Sequence, residues 1–234
     1  MFPIGDDRGP GGSTAVVVIA LIVLNVLAFL IELTQPSQDA LQAFIQAWGV
    51  VPHEYVVRHD LPPTIPLPFW STLFTSMFLH AGWMHLGGNM LYLWIFGDNL
   101  ERVMGHGRFL VFYLICGIAA GVAQIVASGA SNIPSLGASG AVSAVIFAGM
   151  ILEPRIGVGL IFIPGVRIPG YIFAPLFLII SHYLAKRGRD NINHSAHIWG
   201  AIFGIVFVIA MAFALSDYNL IENFIESVKR DVGY

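Results

Sequence analysis

The sequence predicts an all-α, polytopic membrane bundle of six spanning helices, with a partly membrane-embedded loop between the first and second. Three observations carry this expectation. Of 234 residues, 56% are apolar and only 11% charged, less than half the roughly 25% charge of an ordinary soluble domain. Mean hydropathy is +0.76, more than a lone soluble domain of this size could keep out of water. Finally, the apolar residues fall into six runs separated by Gly, Pro and charged clusters. The same composition excludes a disordered chain, a nucleic-acid binder and a typical cytosolic enzyme. The net charge of −3 leaves no basic footprint for nucleic acid. The single cysteine, Cys116, cannot form an internal disulfide and reads as a small core residue.

Residues 1–13, with Gly5, Asp6, Asp7, Arg8 and Gly9 at their centre, read as a short cytoplasmic tail and not as a signal peptide, which would begin with a basic stretch. The spanning domain covers 14–215. Its first span lies near 14–34 and ends at Glu32. The second, near 84–99, is led by Trp83 and closed by Gly97-Asp98. The third covers 109–128, the fourth 139–152 before Glu153-Pro154, the fifth 171–185 before Lys186-Arg187, and the sixth 196–215. Residues 216–234 form an amphipathic cytoplasmic tail. The long connection 35–83 holds Trp48, Trp70 and several prolines, so it is no plain linker. Its apolar second half is expected to sink into the interface.

Six spans put both termini on one side. Arg8, Arg102, Arg108, Arg155, Arg167, Lys229 and Arg230 share that side, against Arg58, Lys186, Arg187 and Arg189 on the other. The positive-inside rule then makes the termini cytoplasmic. A compact chain without a transit segment suits a bacterial cytoplasmic membrane.

The fourth span is short. Fourteen residues at 1.5 Å each cover roughly 21 Å, against a hydrocarbon core about 30 Å thick. If Glu153 reaches the interface, Ser139 stops well below the opposite surface. Irregular backbone at that depth needs protein or a water cavity around it, so a wet hollow inside the membrane is expected.

Gly137-Ala138-Ser139-Gly140 lies at that sunken start. Glycines there permit a tight loop and close substrate approach. The first amides of a helix are unpaired and suited to an oxyanion. Helix packing by small residues explains the motif equally well. The sixth span opens with Ala196-His197-Ile198-Trp199-Gly200. An ionisable residue inside a span is a functional candidate, although a histidine satisfied by a carbonyl is the plainer reading. Spans four and six run in the same direction. Gly140, Ala144 and Ala148 on one, and Ala196, Gly200 and Gly204 on the other, form stripes that let two backbones approach. Such packing would bring Ser139 and His197 together as nucleophile and general base. His85 and Asn89, at i and i+4 near the start of the second span, share a helix face. They serve either as interhelical hydrogen bonds or as donors to an oxyanion. No acidic residue is placed to orient His197.

Together, His80, His85 and Asn89, then Gly137-Ala138-Ser139-Gly140, then Ala196-His197-Ile198-Trp199-Gly200 resemble the rhomboid family of intramembrane serine proteases, over roughly residues 70–205. The resemblance implies a Ser139 nucleophile and a His197 base without a third member. It implies an oxyanion site of the Ser139 amide, His85 and Asn89, with Gly137, Gly140 and Gly200 in support. His80 would support the pocket, and Glu101 matches a position that ties loops together. It implies no cofactor and no metal, substrates that are single-span membrane proteins entering near the fifth span, and the lipid bilayer as surroundings. Two features depart from the pattern. Some bacterial members stack a tyrosine, four residues after the nucleophile, on the base; here Ser143 stands there, so His197 must be held otherwise. A Trp-Arg pair of the first loop is absent from 35–83.

Two other readings remain open at this point. One is a metal-binding membrane protein using His80, His85, His194 and His197, without a His-Glu-x-x-His motif to recommend it. The other is an inactive relative that binds membrane clients, although such relatives usually lack the serine or the histidine.

Overall fold

The computed structural model describes residues 14–152, 157–160, 163–186 and 194–215. The two expected tails, and Arg155, Arg187 and Arg189 of the charge count, lie outside these residues. Nine helices are described: α1 (Val16–Leu33), α2 (Gln38–Trp48), α3 (Pro52–Val57), α4 (Thr72–Thr75), α5 (Trp83–Met104), α6 (His106–Ser128), α7 (Ser139–Leu152), α8 (Gly170–Lys186) and α9 (His194–Leu215). Helices α1, α5, α6, α7, α8 and α9 take up the six apolar runs. By length and hydropathy α1 and α6 are long and apolar enough to cross a bilayer, and α7, α8 and α9 carry shorter apolar stretches.

The centre of the bundle is α7. All of its residues from Ser139 to Gly149 are buried, and a helix buried on every side is a core helix. It packs against α5, α6, α8 and α9. The contact with α9 is backbone to backbone. A Cβ on Gly200 would lie 2.0 Å from the Gly140 carbonyl oxygen, and one on Gly204 would lie 2.5 Å from that of Ala144. The two stripes of small residues therefore meet in the register their spacing anticipates. On α7's other side, a Cβ on Gly140 would come 2.7 Å from Ala120 Cβ of α6.

The second span does not close at Gly97-Asp98. Helix α5 runs on to Met104. Gly97 is a packing site rather than a breaker: a Cβ there would lie 2.9 Å from Val18 Cγ2 of α1. Asp98 pairs with Arg102 one turn on, and the helix stops at Gly105, whose φ of +80° favours glycine. The extra turn carries Glu101 into the protein, where it is fully buried. Its two carboxylate oxygens accept the Val17 and Val18 amides at 2.9 and 2.8 Å. These belong to the first turn of α1, which has no side-chain cap of its own; a carboxylate at that position satisfies bare amides and the helix dipole together. His106 at the start of α6 contacts the same carboxylate.

The connection 35–83 is built structure, as its composition suggested. Ser37 caps α2 by accepting the Ala40 amide at 3.1 Å. Thr75 Oγ1 donates to the Trp48 carbonyl at 2.7 Å. Tyr55 and Thr72 share a hydrogen bond of 2.8 Å. Val50 pairs with Ser135 as an isolated antiparallel bridge, joining this connection to the loop before α7. Trp70, Phe74, Trp83 and Met84 face outwards, an apolar rim suited to the interface.

One element corrects the all-α expectation. Between α7 and α8, β1 (Gly157–Leu160) and β2 (Ile163–Pro169) form an antiparallel pair, with Val158 opposite Ile168 and Gly159 opposite Arg167. Two strands this short give almost no period-2 signal, and Pro164 and Pro169 argue against strand. In a two-stranded ribbon both strands are edges, where proline is tolerated.

Candidate active site

Close to the serine, the loop before α7 is fixed by three backbone hydrogen bonds. Ser135 exchanges both backbone hydrogen bonds with Val50, at 3.0 and 2.8 Å, and the Gly137 amide donates to the Ser76 carbonyl at 2.8 Å. Gly137 has φ +116°, a conformation that L residues rarely adopt. It also has no room for a side chain: a Cβ would sit 2.8 Å from His85 Cε1, 2.9 Å from His85 Nε2 and 3.8 Å from Ser139 Oγ. Only glycine fits, and by fitting it lets the His85 ring edge lie against the loop beside the serine hydroxyl. The Val142 amide donates to Ala138 C=O at 2.9 Å as the opening bond of α7. Ser139 is thus the first helical residue, as the sequence predicts, and its amide belongs to the set that has no partner within the helix.

His85 and Asn89 lie on successive turns of α5. The His85 Nδ1 accepts the Ala81 amide at 3.4 Å. That contact leaves the ring proton on Nε2, the nitrogen nearest Gly137. Among the described residues neither His85 Nε2 nor Asn89 Nδ2 has a hydrogen-bond partner, although both are buried. Buried donors without acceptors are costly, and two of them on one face of α5 suit an anionic guest. His80 is almost wholly buried and sits edge-on to His85, with ring centroids 5.1 Å apart. Its Nδ1 faces the Phe78 carbonyl at 3.2 Å. Burial, helped by the neighbouring His85, pushes its pKa down to about 3, so the ring is neutral.

His197 enters from α9. It precedes Gly200 by three residues, one turn from the point where α9 touches Gly140, which in turn follows Ser139. The serine and the histidine therefore occupy the same end of the α7–α9 contact, both buried. Ser143 is buried on α7 and supplies no ring to His197. Phe177 of α8 does so instead, stacked on the imidazole with centroids 5.9 Å apart and planes 29° from parallel. This answers how His197 is held. Nothing local in the sequence could have named Phe177, because the pair depends on how α8 lies against α9. A second residue was missed by sequence reasoning: Glu32, at the end of α1, accepts the His80 amide at 3.0 Å. The signal was available, since a carboxylate closing a run of apolar residues broken only by Asn25 needs a partner.

A cavity of about 30 Å³ lies beside the serine, lined by Ser76, Gly117, Gly137, Ser139, Gly140 and Ala196 among others. It is large enough for a water molecule. Among the described residues no three His, Cys, Asp or Glu side chains gather as a metal-holding group.

Residues 68–213 match the family model described as the rhomboid domain. The chain belongs to the rhomboid family, and it is an integral membrane protein. It is 34% identical over 150 residues to rhomboid protease GluP of Bacillus subtilis, covering 61% of this chain and 26% of that one. It is 27% identical over 158 residues to the mitochondrial presenilin-associated rhomboid-like protein of Rattus norvegicus, covering 67% and 42%. RHOMBOID-like protein 12, mitochondrial, of Arabidopsis thaliana is 34% identical over 148 residues, covering 56% and 43%. The matched region spans less than half the length of each of these relatives.

Proposed function

We propose that this protein is an intramembrane serine endopeptidase that cuts transmembrane segments of single-span proteins. His197 takes the Ser139 proton, Ser139 attacks the scissile carbonyl, and the resulting oxyanion is held by the Ser139 amide, His85 Nε2–H and Asn89 Nδ2–H. His197 then gives its proton to the leaving amine. Water, bound in the cavity beside Ser139, completes hydrolysis of the acyl-enzyme. His80 supports the pocket as a neutral ring. Gly137, Gly140 and Gly200 permit the approach of His85 and of α9. The chemistry asks for no metal or cofactor.

The observation that carries this reading is the α7–α9 contact. A backbone approach so close that a Cβ on Gly200 would fall 2.0 Å from the Gly140 carbonyl supports a Ser139–His197 pairing, because each residue lies near the N-terminal end of its helix. The rhomboid match and the relative named a rhomboid protease support the same reading. In this reading all six apolar helices span the bilayer, both termini are cytoplasmic, and substrate enters beside α8, where it unwinds locally to offer its carbonyl. Helix-breaking or small residues near the cut favour that unwinding.

The test is cleavage of a fluorescent single-span substrate in liposomes. Wild type cleaves it; Ser139→Ala and His197→Ala each reduce the rate by about 10³-fold or more. A fluorophosphonate labels wild type and not Ser139→Ala. Cleavage by Ser139→Ala at the wild-type rate would end the proposal.

A further inference from the structure

The His85 ring is only useful to an oxyanion if its proton is on Nε2, the nitrogen beside Gly137. Two backbone amides decide this. The Ala81 amide points at His85 Nδ1, at 3.4 Å, and so demands a bare nitrogen there. The preceding amide, that of His80, is held by Glu32 Oε1 at 3.0 Å. The peptide planes that carry these two amides meet at the His80 Cα, so once the first is anchored only the φ and ψ of His80 are left to orient the second. Glu32 itself is almost fully buried, on the last turn of a helix whose other residues are apolar except for Asn25. A carboxyl group in such a place is expensive, and packing alone would favour a leucine.

We infer that Glu32 is a positioning residue for the reaction proposed above: by anchoring the His80 amide it aims the Ala81 amide at His85 Nδ1, and so keeps the proton on His85 Nε2, where the oxyanion forms. Glu32 touches neither substrate nor serine. It acts through the turn formed by residues 79–82. His80 contributes its backbone to this arrangement. Its side chain is occupied elsewhere, with Nδ1 on the Phe78 carbonyl. The inference rests on the protease reading for its kinetic consequence, and on geometry alone for the tautomer.

Both parts are tested on the whole protein in detergent micelles or lipid nanodiscs. With ¹⁵N-labelled histidine, the His85 signals are assigned by their loss in His85→Gln. In wild type Nδ1 carries no proton and Nε2 does. In Glu32→Ala the His85 signals move toward a mixture of tautomers, whereas Glu32→Gln, whose amide oxygen still accepts, keeps the wild-type pattern. In the cleavage assay Glu32→Ala lowers kcat by about tenfold, less than the roughly 10²–10³-fold of deleting an oxyanion donor, with KM within about twofold. Glu32→Gln restores kcat to within about threefold. In a His85→Ala background Glu32→Ala costs less than about twofold, the coupling expected of two residues acting through one group. An unchanged His85 tautomer in Glu32→Ala, or equal losses in both backgrounds, overturns the inference. If instead Ser139→Ala cleaves like wild type, the protease reading fails, while the tautomer measurement still decides what Glu32 does.

Discussion

Helices α8 and α9 both pack on α7, but they are seated in the bundle by opposite materials. At α9 the contact is backbone on backbone: Gly200 against Gly140 and Gly204 against Ala144, with no room for a methyl group. At α8 the ring contacts go to α5 and to α9. Phe173 stacks on Phe96 at 5.7 Å, Tyr92 meets Phe177 edge-on at 5.4 Å, and Phe177 covers His197. Much of α8 faces outwards, through Ile172, Leu176, Ile179, Ile180 and Tyr183, and Pro175 removes one of its internal hydrogen bonds. A contact between backbones has one register. A contact between rings tolerates tilting at small cost, since aromatic pairs favour several geometries. The rigid side fixes the helix ends that carry Ser139 and His197. The adjustable side is the one beside which the proposed substrate passes, and His197 sits where the two meet.

Substitutions that put a side chain into the rigid contact should do the most damage. Gly200→Val is expected to cost about 3 kcal/mol of stability and to bring cleavage down to the level of Ser139→Ala. Thermal unfolding in detergent, alongside the liposome assay, measures both; an unchanged Tm would show that the α7–α9 contact is not what fixes the site. Gly137→Ala comes next. Its positive φ and the His85 ring both oppose a Cβ, so activity should fall about 10²-fold with a stability loss of about 1 kcal/mol. Phe177→Ala then probes the adjustable side. It should lower kcat about tenfold through a loosened His197, with KM and Tm little moved, and Phe177→Tyr should recover most of the loss.

The smallest effect is expected outside both contacts. His80 titrates near 3 in the folded protein and near 6.5 when unfolded. The unfolded chain therefore binds a proton below about pH 6.5 that the folded chain refuses. Stability should fall as pH drops from about 6.5 toward 3, and His80→Gln should make that slope shallower by a few degrees of Tm. Melting curves at pH 8 and pH 5 for the two proteins give the comparison.

The rigid contact was legible in the sequence because a stripe of small residues at a spacing of four is a local pattern, and it needs only helical geometry to be read. The start of α7 was legible for a similar reason, with Gly137 before it and Glu153-Pro154 after. The adjustable side was not. Phe177 is one apolar residue among many on α8, and only the fold places it over His197. The end of α5 was misread because Gly97 and Asp98 imitate a helix stop, while the glycine is spent on a close approach to Val18. Glu32 was seen as the edge of a span, and its partner, an amide 48 positions away, has no sequence signature at all. The hairpin between α7 and α8 escaped because four and seven residues are too few for a period to emerge.

The carboxylate of Glu101 has a consequence for how the chain is made. Val17 and Glu101 are 84 positions apart, so at synthesis the first helix enters the translocation machinery long before its cap has been translated. Its leading amides must stay hydrated at the membrane surface until α5 arrives. The first turn of α1 thus gains its acceptor only once α5 has followed.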